Sequence, residues 1–123
     1  MEREKHIRPW GNFEILATGP GYKVKRITVD PGKRTSLQWH EKRDEVWVTV
    51  DGIGVFYIDG INKTTTEIPD MGLNQARVPE KSQHRITNEG YKPLVIIEVQ
   101  TFDVNDPSGE DDIHRLEDDY NRV

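Results

Sequence analysis

The stretch LQWHEKRDEVW, residues 37–47, places two short segments with apolar residues on either side of a charged turn. Gln38 and His40 are two positions apart, so on a strand their side chains lie on the same face. Glu45 begins the next segment after a four-residue turn, and antiparallel pairing would bring it back beside His40. Polar groups placed among apolar residues in this way indicate a binding site.

The composition limits the class of protein. The chain has 123 residues, 33% hydrophobic and 32% charged, which predicts a single domain over 1–123 with one modest core. A net charge of -5 argues against a nucleic-acid partner, because phosphate contacts need clustered Lys and Arg. No segment approaches the ~20 apolar residues of a membrane helix, and the N-terminus lacks the apolar segment of a signal peptide, so we expect a cytoplasmic protein without a membrane partner. Without cysteine, any metal site must use His, carboxylate or amide oxygen.

Short segments rich in β-branched and aromatic residues alternate with turn-forming residues. The predicted strands cover 22–29, 35–40, 45–50, 53–58, 63–68, 75–78 and 94–101. Strands of this length and spacing predict an all-β antiparallel sandwich or barrel. Asp51-Gly52 gives the strongest hairpin signal, because both residues tolerate positive φ. The acidic tail, residues 109–122, is expected to form a helical turn or to cover a sheet edge.

Two predicted strands carry more apolar surface than one face of a sheet needs. Val46, Val48 and Val50 share one face of the strand 45–50, and the segment 94–99 is apolar on both faces apart from Glu98. Such strands need cover from a second sheet or from another subunit. A two-layer sandwich within one chain and a homodimer both satisfy this requirement.

A fourth polar residue joins the first three if a strand over 83–88 pairs near 36–40. His84 would then lie near Gln38, His40 and Glu45, which gives one amide oxygen, two imidazoles and one carboxylate. That set suits a divalent first-row metal with open positions for water or substrate. The other interpretation is a group of polar residues that satisfy one another, and spacing alone leaves both open.

Two motifs resemble those of the cupin superfamily. Gly32-x5-Gln38-x-His40-x4-Glu45-x6-Gly52 is similar to the first cupin motif, and Pro79-x-Lys81-x2-His84-x3-Asn88 to the second. Further segments resemble the type II mannose-6-phosphate isomerase domain: Arg8-Pro-Trp-Gly11, Val29-Asp-Pro-Gly-Lys-Arg34, Ile97-Glu-Val-Gln100, Gly109-Glu-Asp-Asp-Ile113 and Glu117-Asp-Asp-Tyr120. The resemblance covers almost the whole chain and implies a single cupin barrel, the double-stranded β-helix or jelly roll. In bifunctional enzymes this domain follows a guanylyltransferase domain, whose activity is not expected here.

The chain departs from the family pattern at two positions beside the site. The family usually reads Gln-x-His-x-His-Arg-x-Glu-His-Trp, and here Lys42 and Val46 replace the second and third histidines. The positions that match the cupin metal ligands are all kept.

The resemblance implies a metal-dependent isomerase that interconverts mannose 6-phosphate and fructose 6-phosphate by moving hydrogen from C2 to C1. One divalent ion, zinc first with manganese, nickel, cobalt and iron as alternatives, would act as Lewis acid. The implied metal ligands are Gln38, His40, Glu45 and His84. The candidate catalytic residues are Glu45, Arg43 and Arg115, and the candidate substrate-binding residues are Arg85, Lys33 and Lys42. The alternatives are a metal-containing cupin that binds a sugar or sugar phosphate without turnover and, more weakly, an oxygen-using cupin.

Overall fold

The computed structural model describes residues 4–64, 75–106 and 113–122, and these form β-strands joined by turns and short loops. The strands are β1 (Lys5–Arg8), β2 (Gly11–Gly19), β3 (Tyr22–Val29), β4 (Leu37–Trp39), β5 (Arg43–Asp51), β6 (Gly54–Ile58), β7 (Ile61–Thr64), β8 (Gln75–Val78), β9 (His84–Asn88), β10 (Leu94–Phe102) and β11 (His114–Glu117). Within these ranges, no helix has the length and apolar character needed to cross a bilayer.

The strands form two antiparallel sheets. The six-stranded sheet has the order β1-β2-β3-β10-β5-β8, and the five-stranded sheet has the order β11-β4-β9-β6-β7. The core contains the buried apolar side chains of both sheets: Trp10, Ile27, Val29, Trp47, Phe56, Val78, Ile86, Leu94 and Ile96. This architecture confirms the all-β, jelly-roll prediction.

The predicted strands agree with the structure where alternation of apolar and polar residues is regular. β3 and β8 have the predicted bounds, and the predicted strand 63–68 corresponds to β7, although its residues 65–68 lie outside the described ranges. β1 and β2 were not predicted. β2 begins with Gly11, and its pairing register shifts between Ile15 and Ala17. Such a bulge interrupts the two-residue period on which strand prediction depends.

The predicted hairpin at Asp51-Gly52 is wrong. β5 pairs with β10 and β8, whereas β6 pairs with β9 and β7, so the turn carries the chain from one sheet to the other. Gly52 has φ of 94°, and a Cβ there would lie 2.8 Å from Pro93 O and 2.9 Å from the Cα of Leu94. Only Gly52 thus has the positive φ that the prediction allowed for both residues, because Asp51 still belongs to β5 and lies opposite Val95. The conformation of Gly52 permits the close approach to the start of β10.

The tail covers a sheet edge, which is one of the two arrangements expected for it. β11 pairs with β4, with Arg115 opposite Gln38 and His114 opposite Trp39. The His114 ring stacks on Trp39 at a centroid distance of 4.1 Å. Beyond β11, the two carboxylate oxygens of Asp119 accept hydrogen bonds of 2.7 and 2.8 Å from Arg34. These contacts hold the tail against the five-stranded sheet.

Candidate metal centre and cavity

Three ligand-type side chains meet in the interior between the sheets. His40, Glu45 and His84 are each about 1% exposed, and their ligand atoms all lie within 4.8 Å of one another. The Nε2 atoms of the two histidines are 3.1 Å apart. Glu45 Oε2 lies 3.0 Å from His40 Nε2, and Glu45 Oε1 lies 3.9 Å from His84 Nε2.

Both sheets contribute to this cluster. Gln38 on β4 lies directly opposite His84 on β9, which confirms the predicted proximity of those two segments. Glu45 reaches His40 by a different route from the one expected. β4 pairs with β11 and β9, and β5 pairs with β10 and β8, so the two strands do not form a hairpin. Glu45 therefore contacts His40 because the chain crosses from one sheet to the other between them.

The electrostatics of the cluster favour the protonation states that bind metals. Burial lowers the pKa of His84 to about 4, so its imidazole is neutral at physiological pH. Burial alone would raise the pKa of Glu45, but the hydrogen bond from His40 and the positive charge of Arg43 outweigh it and hold that pKa well below its usual range. A neutral imidazole and an ionised carboxylate are the forms that coordinate a divalent ion.

Two of the three spacings between the ligand atoms also fit one ion. Metal–ligand distances of about 2.0–2.2 Å imply that neighbouring ligand atoms on one ion lie roughly 3.0–3.6 Å apart. The pairs Glu45–His40 and His40–His84 are separated by 3.0 and 3.1 Å, whereas the pair Glu45–His84 is wider at 3.9 Å. Gln38 is half-buried, and its Oε1 accepts a hydrogen bond of 3.0 Å from Ser36 Oγ. Its role as a fourth ligand stays a prediction.

A buried cation accompanies the cluster. Arg43 is 7% exposed, and its Nη2 lies 3.0 Å from Glu45 Oε2 and 2.8 Å from His40 Nε2. The guanidinium therefore balances the charge of the carboxylate and contacts two of the three ligand atoms. Of the candidate catalytic residues, Arg43 and Glu45 thus lie side by side.

A cavity of about 290 Å³ lies between the two sheets beside the cluster. The side chains that line it include Arg8, Lys25, Ser36, Gln38, Arg43, Trp47, Glu98, Gln100, Arg115 and Arg122. Five of these are cationic and only Glu98 is acidic. Although the chain carries a net charge of -5, the described wall of the cavity is therefore strongly basic.

Glu98 and Gln100 belong to this wall and were missed as site residues. On β10, Glu98 lies opposite Trp47 and Gln100 lies opposite Glu45. Burial, with a further contribution from the negative charge of Glu45, raises the pKa of Glu98 to about 8. The available signal was their spacing of two, which puts both polar side chains on one face of an otherwise apolar strand.

The structure does not bring the three predicted substrate-binding residues to this cavity. Lys42 is about half exposed and forms an ion pair of 3.1 Å with Asp106 in a separate surface depression. Lys33 is exposed. Arg85 follows His84 on β9 and therefore faces the other side of the sheet, where its Nε donates to Thr35 O at 2.9 Å. Their contact with a substrate stays a prediction.

The two positions where the family pattern has further histidines also lie away from the cluster. Val46 is 37% exposed on the outer face of β5, opposite in direction to Glu45, and Lys42 points to the depression just described. The substitutions at these positions therefore leave the described wall of the cavity unchanged.

The two sheets and the enclosed cluster define a cupin-type barrel, and solved structures share this fold. The capsular polysaccharide assembling protein CapF from Staphylococcus aureus matches 94% of this chain and 34% of its own, with a TM-score of 0.76 and 23% identity. An RmlC-like cupin from Shewanella frigidimarina matches 81% of this chain and 84% of its own, with a TM-score of 0.68 and 17% identity.

The chain belongs to the mannose-6-phosphate isomerase C-terminal family, which it matches over residues 1–118. It is 44% identical over 117 residues to the alginate biosynthesis protein AlgA of Pseudomonas aeruginosa, covering 94% of this chain and 22% of the relative. It is 40% identical over 124 residues to the mannose-1-phosphate guanylyltransferase ManC of Salmonella typhimurium, covering 100% of this chain and 24% of the relative. The chain thus spans less than a quarter of the length of these relatives.

Proposed function

We propose that this protein is a metal-dependent aldose–ketose isomerase that interconverts mannose 6-phosphate and fructose 6-phosphate. The observation that carries the proposal is the buried cluster of His40, Glu45 and His84 beside a basic cavity, in a chain of the mannose-6-phosphate isomerase C-terminal family. The cluster supplies ligands for an electrophile, and the cavity supplies positive charge for a phosphorylated substrate.

His40, Glu45 and His84 would hold the metal, with Gln38 as the fourth ligand. Neutral imidazoles with carboxylate and amide oxygens suit zinc first, and manganese, nickel, cobalt or iron as alternatives. When bound, such an ion acts as a Lewis acid toward the oxygens of the sugar. Arg43, in contact with both His40 and Glu45, would add positive charge where an enediolate develops.

The reaction requires two proton movements. The proton on C2 is removed and one is delivered to C1, and a proton passes from the oxygen on C2 to the oxygen on C1. Glu45 was the expected base, but its pKa is depressed and it also serves as a ligand. We propose Glu98 as a second proton carrier, because it lies on the cavity wall with a pKa near 8. A general acid or base works best when its pKa is close to the operating pH.

A coupled assay tests the activity directly. Metal-loaded protein should convert mannose 6-phosphate to fructose 6-phosphate, and chelator-treated protein should not. Glucose 6-phosphate, which differs at C2, serves as the matched substrate control. Glu98→Gln should lower kcat by roughly 100-fold or more, because general acid–base groups typically contribute that much.

A second candidate is a cupin that binds the sugar phosphate without turning it over. The position of Arg43 favours it, because a guanidinium 2.8–3.0 Å from two of the ligand atoms neutralises Glu45 even without a metal. Saturable binding of mannose 6-phosphate by metal-loaded protein that shows no turnover would select this second candidate.

We also propose that the outer face of the six-stranded sheet packs against a second copy of the chain. Val46, Val48 and Val50 are 37%, 38% and 61% exposed, and Ile97 and Val99 extend the same apolar face on β10. An apolar patch of this kind on a sheet face is typical of an interface. Light scattering should give twice the chain mass of 14.3 kDa, and Val48→Glu should give the monomer.

We propose that the isomerase reaction takes place in the cytoplasm.

A further inference from the structure

Three arginines from separate segments meet at one part of the cavity. Arg8 ends β1, the edge strand of the six-stranded sheet, and Arg115 lies on β11, the edge strand of the five-stranded sheet. Arg122 follows in the tail. All three side chains line the same cavity, so the edges of both sheets direct positive charge to one place.

We infer that Arg115, together with Arg8 and Arg122, forms an anion subsite that takes the phosphate monoester of the substrate. The inference rests on the proposed function, since it names where that substrate's phosphate binds. It differs from the prediction that Arg85 and Lys33 bind the substrate, because neither of those side chains lines the cavity.

Arg115 is the member of the group with unused binding capacity. Its Nε is shielded from solvent and makes no hydrogen bond within the described residues. Arg8 donates from Nη1 to Ile7 O at 2.8 Å, and Arg122 donates to both carboxylate oxygens of Asp118 at 2.7 and 3.0 Å. A buried donor without a partner is costly, and a phosphate oxygen would satisfy it.

The charges around Arg115 favour a dianion. Burial lowers the pKa of Arg115, and the positive charges of Arg122 and Arg8 lower it further, against the partial compensation of Asp118. Like charges held together in a partly buried site repel, and a bound dianion removes that repulsion. The planar guanidinium also matches phosphate oxygens in pairs, which an ammonium group does not.

The register of the strands places this subsite at a suitable distance from the metal ligands. Arg115 on β11 is opposite Gln38 on β4, and Gln38 is opposite His84 on β9. Directly opposed residues share a face, and two strand spacings amount to about 10 Å. An extended hexose 6-phosphate has a length of this order, so it could place its phosphate at Arg115 and its C1 and C2 beside Gln38 and Arg43, the parts of the cavity wall nearest the metal ligands.

Calorimetry on the metal-loaded full chain tests the subsite with three probes: mannose 6-phosphate, mannose and inorganic phosphate. Arg115→Gln should weaken binding of mannose 6-phosphate by about 10- to 100-fold, the range for one lost charged hydrogen-bonding group. Binding of mannose and the metal content should not change. Arg115→Lys, which keeps the charge but loses the planar fork, should give an intermediate affinity.

The matched control is Arg77→Gln, which removes the same charge from a side chain that is 71% exposed on β8. It should leave the affinity for all three probes unchanged. Arg8→Gln, at an exposed edge strand, gives a second variant in case Arg115→Gln does not fold.

Three results would overturn the subsite: wild-type protein that binds neither mannose 6-phosphate nor phosphate, unchanged affinity in both Arg115→Gln and Arg8→Gln, or an equal loss in Arg77→Gln. Because the measurement is of binding, it separates the subsite from the isomerase activity. Weakened binding in Arg115→Gln with no turnover in wild-type protein would support the subsite and reject the isomerase. Turnover with a KM that Arg115→Gln does not change would support the isomerase and reject the subsite.

Discussion

The carboxyl groups of Glu45 and Glu98 share a single indole N–H. Nε1 of Trp47 lies 3.0 Å from Glu45 Oε1 and 3.2 Å from Glu98 Oε2, and all three side chains are buried. Two acidic groups held this close cannot both carry full charge at low cost. Their pKa values accordingly move apart: that of Glu45 is lowered, and burial raises that of Glu98 to about 8. In the proposed mechanism, this separation leaves Glu45 charged and allows Glu98 to transfer the proton.

The pH dependence of stability should report the buried proton on Glu98. Its pKa is about 8 in the folded protein against 4.5 ordinarily, so between these values the folded state holds a proton that the unfolded state has released. Stability must then fall as pH rises through this window. The melting temperature of metal-free protein should decrease from pH 7 to 8, where the opposite contribution of His84, which ends as pH rises past the ordinary His pKa of 6.5, has become small.

Glu98→Gln is the matched variant for this measurement, because it keeps the shape and removes the titration. Its melting temperature should be less dependent on pH than that of the wild type over the same range. Identical slopes in the two proteins would show that Glu98 is ionised in the folded state.

His84→Ala should lose the metal while keeping the fold. It removes one of three converging ligands, and affinity should fall by at least about 100-fold, since loss of even an outer-sphere partner costs up to that much. The barrel should persist because the buried apolar core, not the cluster, holds the two sheets together. Metal stoichiometry by mass spectrometry and the melting temperature are measured on the same sample.

His114→Ala is the control for this experiment, because it removes an imidazole that stacks on Trp39 at the surface. The metal content of His114→Ala should equal that of the wild type. If His84→Ala retained the wild-type stoichiometry, the cluster would be a set of polar side chains that satisfy one another.

Restoring the two family histidines should have little effect. Lys42→His and Val46→His change side chains that are exposed and directed away from the cluster. Metal affinity and turnover should stay within about twofold of wild type, as is usual for surface substitutions. A large gain of activity in either variant would contradict the orientation of these residues. It would also indicate that the native protein binds the substrate without turning it over.

Two glycines in similar conformations provide a test of the turn between the sheets. Gly52 and Gly60 have φ of 94° and 87°, so alanine is strained at both. Only at Gly52 would the added Cβ meet backbone, at 2.8 Å from Pro93 O. Gly60→Ala should cost about 1 kcal/mol, and Gly52→Ala should cost roughly 2 kcal/mol or more beyond that. Denaturant unfolding of both variants measures the difference, and equal costs would mean that the turn moves freely away from β10.

Local sequence patterns predicted much of the fold and part of the site. The period of two identified β3, β5, β8 and β10, and the same period placed Gln38 and His40 together. It did not identify β2, where the register shift after Ile15 interrupts the alternation, or β11, which is only four residues long and contains a single apolar residue. Expected strand pairing added Glu45 and His84 to the set, the family motifs gave the same residues, and the structure brings both to His40.

The sequence by itself determined the class of strands, the turn residues and the ligand types, because these depend on neighbours along the chain. Tertiary structure decided which strands share a sheet, and therefore that Asp51-Gly52 connects two sheets. It also decided that Arg115 and Arg8 line the cavity while Arg85 does not. The charge and the pKa of Glu98 also depend on tertiary structure, because they are set by burial and by Glu45, which is close in space but distant in the sequence. Burial and long-range pairing are properties of the packed sheets, and no short segment contains them.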